Sequence, residues 1–255
     1  MDGRNQSYRN RLLQLLDPMD FDRLGPHVEP VALGYREPLY GANEEIASVY
    51  FPIEGVVSLV NTMADGSATE IGTIGNEGMA GLPVILGDHR SHASAYVQVP
   101  GSGLRLRADI LRNQFELSSG MRSVMLRYAH VFFNQVAQSA ACVHFHSVEQ
   151  RCCRWLLMTH DRVRSDRFLL TQEFLGMMLG VQRTSVNNAA ARLKQLKFID
   201  YRRGRVTILD RAGLEQHTCE CYFVTKHAFD RLLGPASGQP FHRSGSPERN
   251  PHPLA

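Results

Sequence analysis

Leu170-Thr171-Gln172-Glu173-Phe174-Leu175-Gly176-Met177-Met178-Leu179-Gly180-Val181-Gln182-Arg183 is the stretch on which the fold of this chain turns. Thr171 suits an N-cap, because its hydroxyl can accept from an unpaired amide two or three residues on. Phe174, Leu175, Met178 and Leu179 recur at helical spacing, and Gly180 suits the left-handed residue that ends a helix. A second helix is predicted from near Gln182 to about Lys197. Val186, Ala189, Ala190, Leu193 and Leu196 share its apolar face; Arg183, Thr184, Asn187, Asn188 and Ala191 share the other. Two helices joined by a short glycine turn make a helix–turn–helix. Asp200-Tyr201-Arg202-Arg203-Gly204-Arg205-Val206-Thr207-Ile208 follows at once and reads as a basic hairpin turning at Gly204. An ordinary helical pair beside a solvated hairpin would account for either part alone. The two in succession point to a helix that enters the DNA major groove, braced by an arginine-bearing wing.

Charge is distributed to match. Residues 147–211 carry 13 Lys and Arg against 6 Asp and Glu, a net +7, whereas the whole 255-residue chain is only +3. The rest is therefore mildly acidic, and the positive charge that counterion release from DNA requires sits in one unit.

At these residues the chain resembles the Crp–Fnr superfamily of bacterial transcription regulators, over roughly residues 12–233. The resemblance implies an α+β fold: an N-terminal β-roll (jelly-roll-like) sensor domain, a long dimerisation helix and a C-terminal winged helix–turn–helix. The expected boundaries are 1–118 for an eight-stranded roll of the cyclic-nucleotide-binding type, 119–146 for the dimer helix, 147–213 for the DNA-binding domain, 214–233 for a closing helix and 234–255 for a disordered tail. The alternation of short strands and glycine turns from Val28 to about Arg107, with Asp65-Gly66 as a hairpin signal, agrees with such a roll. Residues 8–24 read as a helix.

The resemblance also implies roles. Arg183 falls on a family arginine that pairs with guanine, and Thr171 on a phosphate-contacting position. Thr184 and Asn188 replace a glutamate and an arginine of a common member, which implies a different operator. The expected DNA-contacting set is Thr171, Gln172, Arg183, Thr184, Ser185, Asn187, Asn188, Arg202, Arg203 and Arg205. Arginine can donate twice to guanine O6 and N7, and asparagine can pair with adenine N6 and N7. The expected partners are double-stranded DNA with a near-palindromic operator, a second copy of the chain, RNA polymerase and an unknown small-molecule effector.

The effector pocket is expected around Gly78, Met79, Gly81, Leu82 and Arg90. Cyclic-nucleotide-binding members use a glutamate for the ribose and an arginine for the phosphate; Leu82 and Ala93 stand near those positions. A buried cyclic phosphate needs a matched cation, so high-affinity cyclic AMP binding is not expected.

The predicted helix at 120–146 is apolar on more than one side, which suggests cover from the roll on one side and a partner copy on the other. Ala129, Phe132, Val136 and Ala140 are the expected dimer contacts, with Asn134 and Gln138 fixing register across the seam. No cofactor or metal is expected. Cys142 and Cys152 would be about 15 Å apart by helical rise. Cys219 and Cys221, two apart on one helix, would not face each other. Five cysteines with no export signal read as free, buried thiols in the cytoplasm. Residues 128–148 lack Asp, Glu, Lys and Arg, but histidines, Asn134, Gln135 and Gln138 interrupt them, which argues against a membrane span. A β-barrel metalloenzyme is the competing class, weakened by the lack of His and carboxylate ligands clustered on strands. A sensor working through protein contacts without DNA is another, weakened by the +7 unit.

Overall fold

A computed structural model describes residues 9–163 and 165–234. The expected tail falls outside them apart from Gly234. The N-terminal helical segment is two short helices, α1 (Arg11–Gln14) and α2 (Pro18–Leu24). They separate because Asp17 leaves the helical path to cap α2, its carboxylate accepting from the Asp20 amide at 2.8 Å, with Pro18 at the first helical position.

The roll consists of β1 (Glu29–Leu33), β2 (Pro38–Tyr40), β3 (Ser48–Thr62), β4 (Ala68–Ile74) and β5 (Ser94–Arg107). They form one antiparallel sheet in the order β1-β5-β3-β4, with β2 also on β5. Among the described residues, five strands stand where eight were expected. The reason is length: β3 and β5 run 15 and 14 residues and pair along most of their extent. Register shifts at Pro52/Glu54, Glu54/Val56 and Val56/Val57 mark bulges, which bend a strand without ending it. The Asp65-Gly66 turn joins β3 to β4 as expected, Met63 and Ser67 closing it through a 2.7 Å backbone bond.

After α3 (Ala108–Leu117) comes α4 (Ser119–Phe145), capped by Ser118 on the Met121 amide. Its 27 residues span about 40 Å at 1.5 Å each. Met121, Met125, Tyr128, Val131 and Phe132 sink into the roll's core with Val49, Phe51, Leu104 and Leu106. α4 meets α5 (Val148–His160) at a capping box made by Ser147 and Gln150.

The C-terminal unit continues with β6 (Arg167–Leu169), α6 (Gln172–Leu179), α7 (Arg183–Gln195), β7 (Ile199–Arg202), β8 (Arg205–Ile208), α8 (Arg211–His217) and α9 (Cys221–Leu233). The wing is a three-stranded sheet, β6-β8-β7, rather than a lone hairpin. The expected closing helix is broken: Thr218, Cys219 and Glu220 leave the helical path, and α9 folds back along α4. Among the described residues no helix is long and apolar enough to cross a membrane.

The dimer-contact expectation needs correction at Phe132. That ring is 7% exposed and lies against Gly72 of the chain's own β4, while Ala129 and Val136 are half-buried; only Ala140 of the four is open. Nor do Asn134 and Gln138 face one seam: Asn134 Nδ2 lies 3.3 Å from His130 Nε2, and Gln138 donates to Cys221 Sγ at 3.0 Å. The roll and α9 claim these faces, so the exposed stripe of α4 is displaced around the helix. It comprises Leu126, His130, Phe133, Ala137, Ala140 and His144, spaced three or four residues apart.

Candidate nucleic-acid interface

Thr171 caps α6 as expected, accepting from the Phe174 amide at 3.1 Å, and Gly180 ends that helix at φ 61°. Phe174, Leu175, Met178 and Leu179 turn inward and join Val186, Ala189 and Leu193 of α7 with Trp155, Leu156 and Leu157 of α5. Burying those faces leaves the opposite side of α7 in solvent. Arg183, Thr184, Asn188 and Ala191 are exposed there, and Ser185 and Asn187 are half-buried at its margin; Gln172, at the start of α6, is half-buried. Asn187 Oδ1 is buried without a hydrogen-bond partner, whereas Asn188 is exposed.

The wing turns at Arg203 and Gly204, with φ 49° and 71°. Positive φ at both central residues is the type I′ geometry whose twist matches a two-residue hairpin. Tyr201 Oη donates to the Leu170 carbonyl at 2.6 Å, and the Leu170 amide to the Gly204 carbonyl at 2.8 Å, fixing the wing to the start of α6. Burial pushes the Tyr201 phenol up to about 12, so it stays a donor. Arg202, Arg203 and Arg205 are exposed. Arg202 pairs with Asp200 at 3.0 Å, as does Lys194. Hydrogen bonding from Lys194 holds the Asp200 carboxyl below the usual carboxylate range. No carboxylate among the described residues pairs with Arg183, Arg203 or Arg205.

The expected effector residues come together only in part. Gly78, Met79 and Gly81 are buried, Met79 at 0% exposure, and Tyr128 from α4 lies over Gly78 with its hydroxyl donating to the Met79 carbonyl at 2.9 Å. They are packed core rather than the wall of an open pocket. Leu82 is half-buried. Arg90 is exposed and donates to the Asn43 carbonyl at 2.9 Å, so its cation does not converge with the glycine loop.

Sequence reading missed the seam between roll and DNA-binding unit. Arg162 makes a buried ion pair with Glu77 at 2.7 Å and reaches Gln135 of α4 at 3.4 Å. Trp155 Nε1 donates to Glu70 at 3.1 Å, and Ser58 Oγ lies 2.6 Å from both Glu70 and Gln98. Desolvation raises the Glu70 carboxyl to about 7 despite these bonds. Tyr96 meets Phe174 edge-on at 6.1 Å. No local periodicity links residues 85 positions apart, so nothing in the sequence marks these pairs. The cysteines also depart from expectation. All five are buried and free, but Cys142, Cys219 and Cys221 meet at one place with His146. Cys219 lies in the break between α8 and α9, so the helical spacing assumed for it does not apply.

Comparison with known proteins agrees with this architecture. The cyclic nucleotide-binding domain family matches residues 32–118 and the Crp-like helix-turn-helix domain family residues 150–217, together more than half of the chain. No curated protein matches in sequence. Among solved structures, FixK2 from Bradyrhizobium japonicum superposes with a TM-score of 0.64 at 14% identity, covering 75% of this chain and 98% of its own. A CRP-family transcriptional regulator from Thermus thermophilus gives 0.61 at 20% identity, covering 74% and 95%. The c-di-GMP-responsive regulator CLP of Xanthomonas campestris gives 0.60 at 14%, covering 75% and 99%. At these identities the likeness is one of fold. With a cyclic-nucleotide-binding-type β domain, a long connecting helix and a Crp-like helix–turn–helix in that order, the chain belongs to the Crp/Fnr family of DNA-binding transcription regulators, which are not enzymes.

Proposed function

We propose that the protein is a homodimeric, cytoplasmic regulator that reads a near-palindromic operator through α7, in contact with RNA polymerase, under an effector other than cyclic AMP. The observation that carries the DNA reading is the solvent face of α7: Arg183 exposed at its first turn, Thr184 and Asn188 on the same side, and the arginine wing fixed beside it. Two such helices would enter successive major grooves about 34 Å apart.

The dimer reading draws on the stripe Leu126, His130, Phe133, Ala137, Ala140 and His144. Its spacing is that of a coiled-coil seam, and Phe133 is 69% exposed in the single chain. The reading against cyclic AMP draws on Tyr128 and Met79 packing the expected glycine loop into the core, and on Arg90 bonding elsewhere. The ion pair Glu77–Arg162 offers a route by which the glycine loop biases the DNA-binding unit, because it joins them without an intervening residue.

Selection of bound sequences from random DNA gives the operator. Arg183→Ala then loses about 1–3 kcal/mol of binding and relaxes preference at one base pair per half-site. A variant that keeps full discrimination removes α7 as the reading helix.

A further inference from the structure

Four side chains that DNA reading does not use meet where the DNA-binding unit joins the long helix. Cys142 and His146 are four residues apart at the end of α4 and so project from one side. Cys219 comes from the α8–α9 connection and Cys221 from the first residue of α9. Cys142 Sγ lies 3.5 Å from Cys219 Sγ, and Cys221 Sγ lies 3.5 Å from His146 Nδ1. All four donor atoms fall within 4.8 Å of one another. A tetrahedral centre with metal–sulfur arms of about 2.3 Å has edges of about 3.8 Å, close to these separations.

The geometry points to a closed Cys3His site for a thiophilic divalent cation of the zinc class, fastening the end of the long helix to the segment that leaves the wing. The surroundings are those such a site needs. His146 Nε2 lies 3.1 Å from Glu220 Oε2, which fixes the ring so that Nδ1 faces the thiols. A carboxylate behind a ligating histidine orients it and raises its basicity. Gln138 Nε2 donates to Cys221 Sγ at 3.0 Å, a bond that favours the thiolate. Three thiolates and a neutral imidazole around a divalent ion leave one net negative charge. Arg151 and Arg154 stand close enough to Cys142 to interact with it electrostatically. The three thiols are buried and the four ligands leave no open position, which suits a structural ion rather than a catalytic one.

The placement gives the ion a consequence. α4 stops at Phe145 and α5 starts at Val148, so the ligands gather beside that hinge. Arg151, one turn into α5, donates to the Leu179 carbonyl at the end of α6. An ion at this place sets how the helix–turn–helix hangs from α4.

The test uses the full-length reduced protein, stripped with chelator and titrated with Co2+ and then Zn2+. The expected result is one Co2+ per chain, with the visible bands of tetrahedral cobalt and a thiolate-to-metal charge-transfer band, displaced by one Zn2+. Cys221→Ser shifts and weakens those bands, whereas Glu220→Gln keeps the four ligands and weakens binding about 10–100-fold. Circular dichroism confirms that each variant is folded; should Cys221→Ser fail to fold, the wild-type spectrum and Glu220→Gln still decide. Absence of stoichiometric tetrahedral Co2+ in the wild type, or unchanged spectrum and affinity in folded variants, overturns the site. These readouts need no DNA, so they stand or fall apart from the regulator reading.

Discussion

Replacing Glu70 with glutamine isolates the chemistry of the seam between the roll and the DNA-binding unit. Ser58 Oγ has one proton and lies 2.6 Å from both Glu70 Oε2 and Gln98 Oε1. A protonated Glu70 can donate to Ser58 while Ser58 donates to Gln98; an ionised one leaves one of those contacts between two acceptors. Desolvation raises the Glu70 carboxyl from 4.5 to about 7, outweighing the bonds from Ser58 and Trp155, which favour the ionised form. Well below pH 4.5 the group is protonated in both the folded and unfolded chain and costs nothing. As pH rises the unfolded chain ionises first, so native stability falls until about pH 7 and is then level. A difference of that size is worth at most about 3 kcal/mol. Glu70 retains some solvent contact, which screens the effect to about 1–2 kcal/mol. A glutamine there would be neutral throughout and would keep an acceptor for Trp155 and a donor for Ser58. In urea unfolding followed by Trp155, the single tryptophan, Glu70→Gln should come close to the wild type near pH 4.5 and exceed it by about 1–2 kcal/mol at pH 8. A difference that is the same at every pH, or a variant weaker at pH 8, refutes the reasoning.

Two further outcomes follow from the packing. Arg162→Met leaves Glu77 charged and buried, so thermal unfolding should show a loss of about 3–5 kcal/mol, with partial recovery when Glu77→Gln is added; a loss below about 1 kcal/mol would mean water reaches that carboxylate. Neighbouring phenylalanines on α4 should behave oppositely: Phe132→Ala destabilises the roll by about 3–5 kcal/mol, whereas Phe133→Glu shifts sedimentation from dimer to monomer with little change in unfolding. Retention of the dimer by a folded Phe133→Glu would place the partner on another face.

What could be read from residues alone was local. The helix–turn–helix needs only the 3.6-residue spacing of Phe174 to Leu196, a threonine cap and a glycine stop, all within one window. The polar face of α7 follows from the same spacing, since burying one side of a helix exposes the other. The arginine wing and the change from strands to the long helix are similarly short-range. Tertiary packing decided which competitor takes each remaining face. Phe132 and Phe133 are adjacent and chemically alike, yet β4 claims the first and leaves the second in solvent. The closing helix breaks at Thr218, although its apolar residues read as one segment, and that break carries Cys219 and Cys221 to Cys142. Glu77 and Arg162, 85 residues apart, pair because the roll and the DNA-binding unit dock. Local pattern fixes which side of an element must be covered; only the assembled chain, whose loops bring distant residues together, determines what covers it.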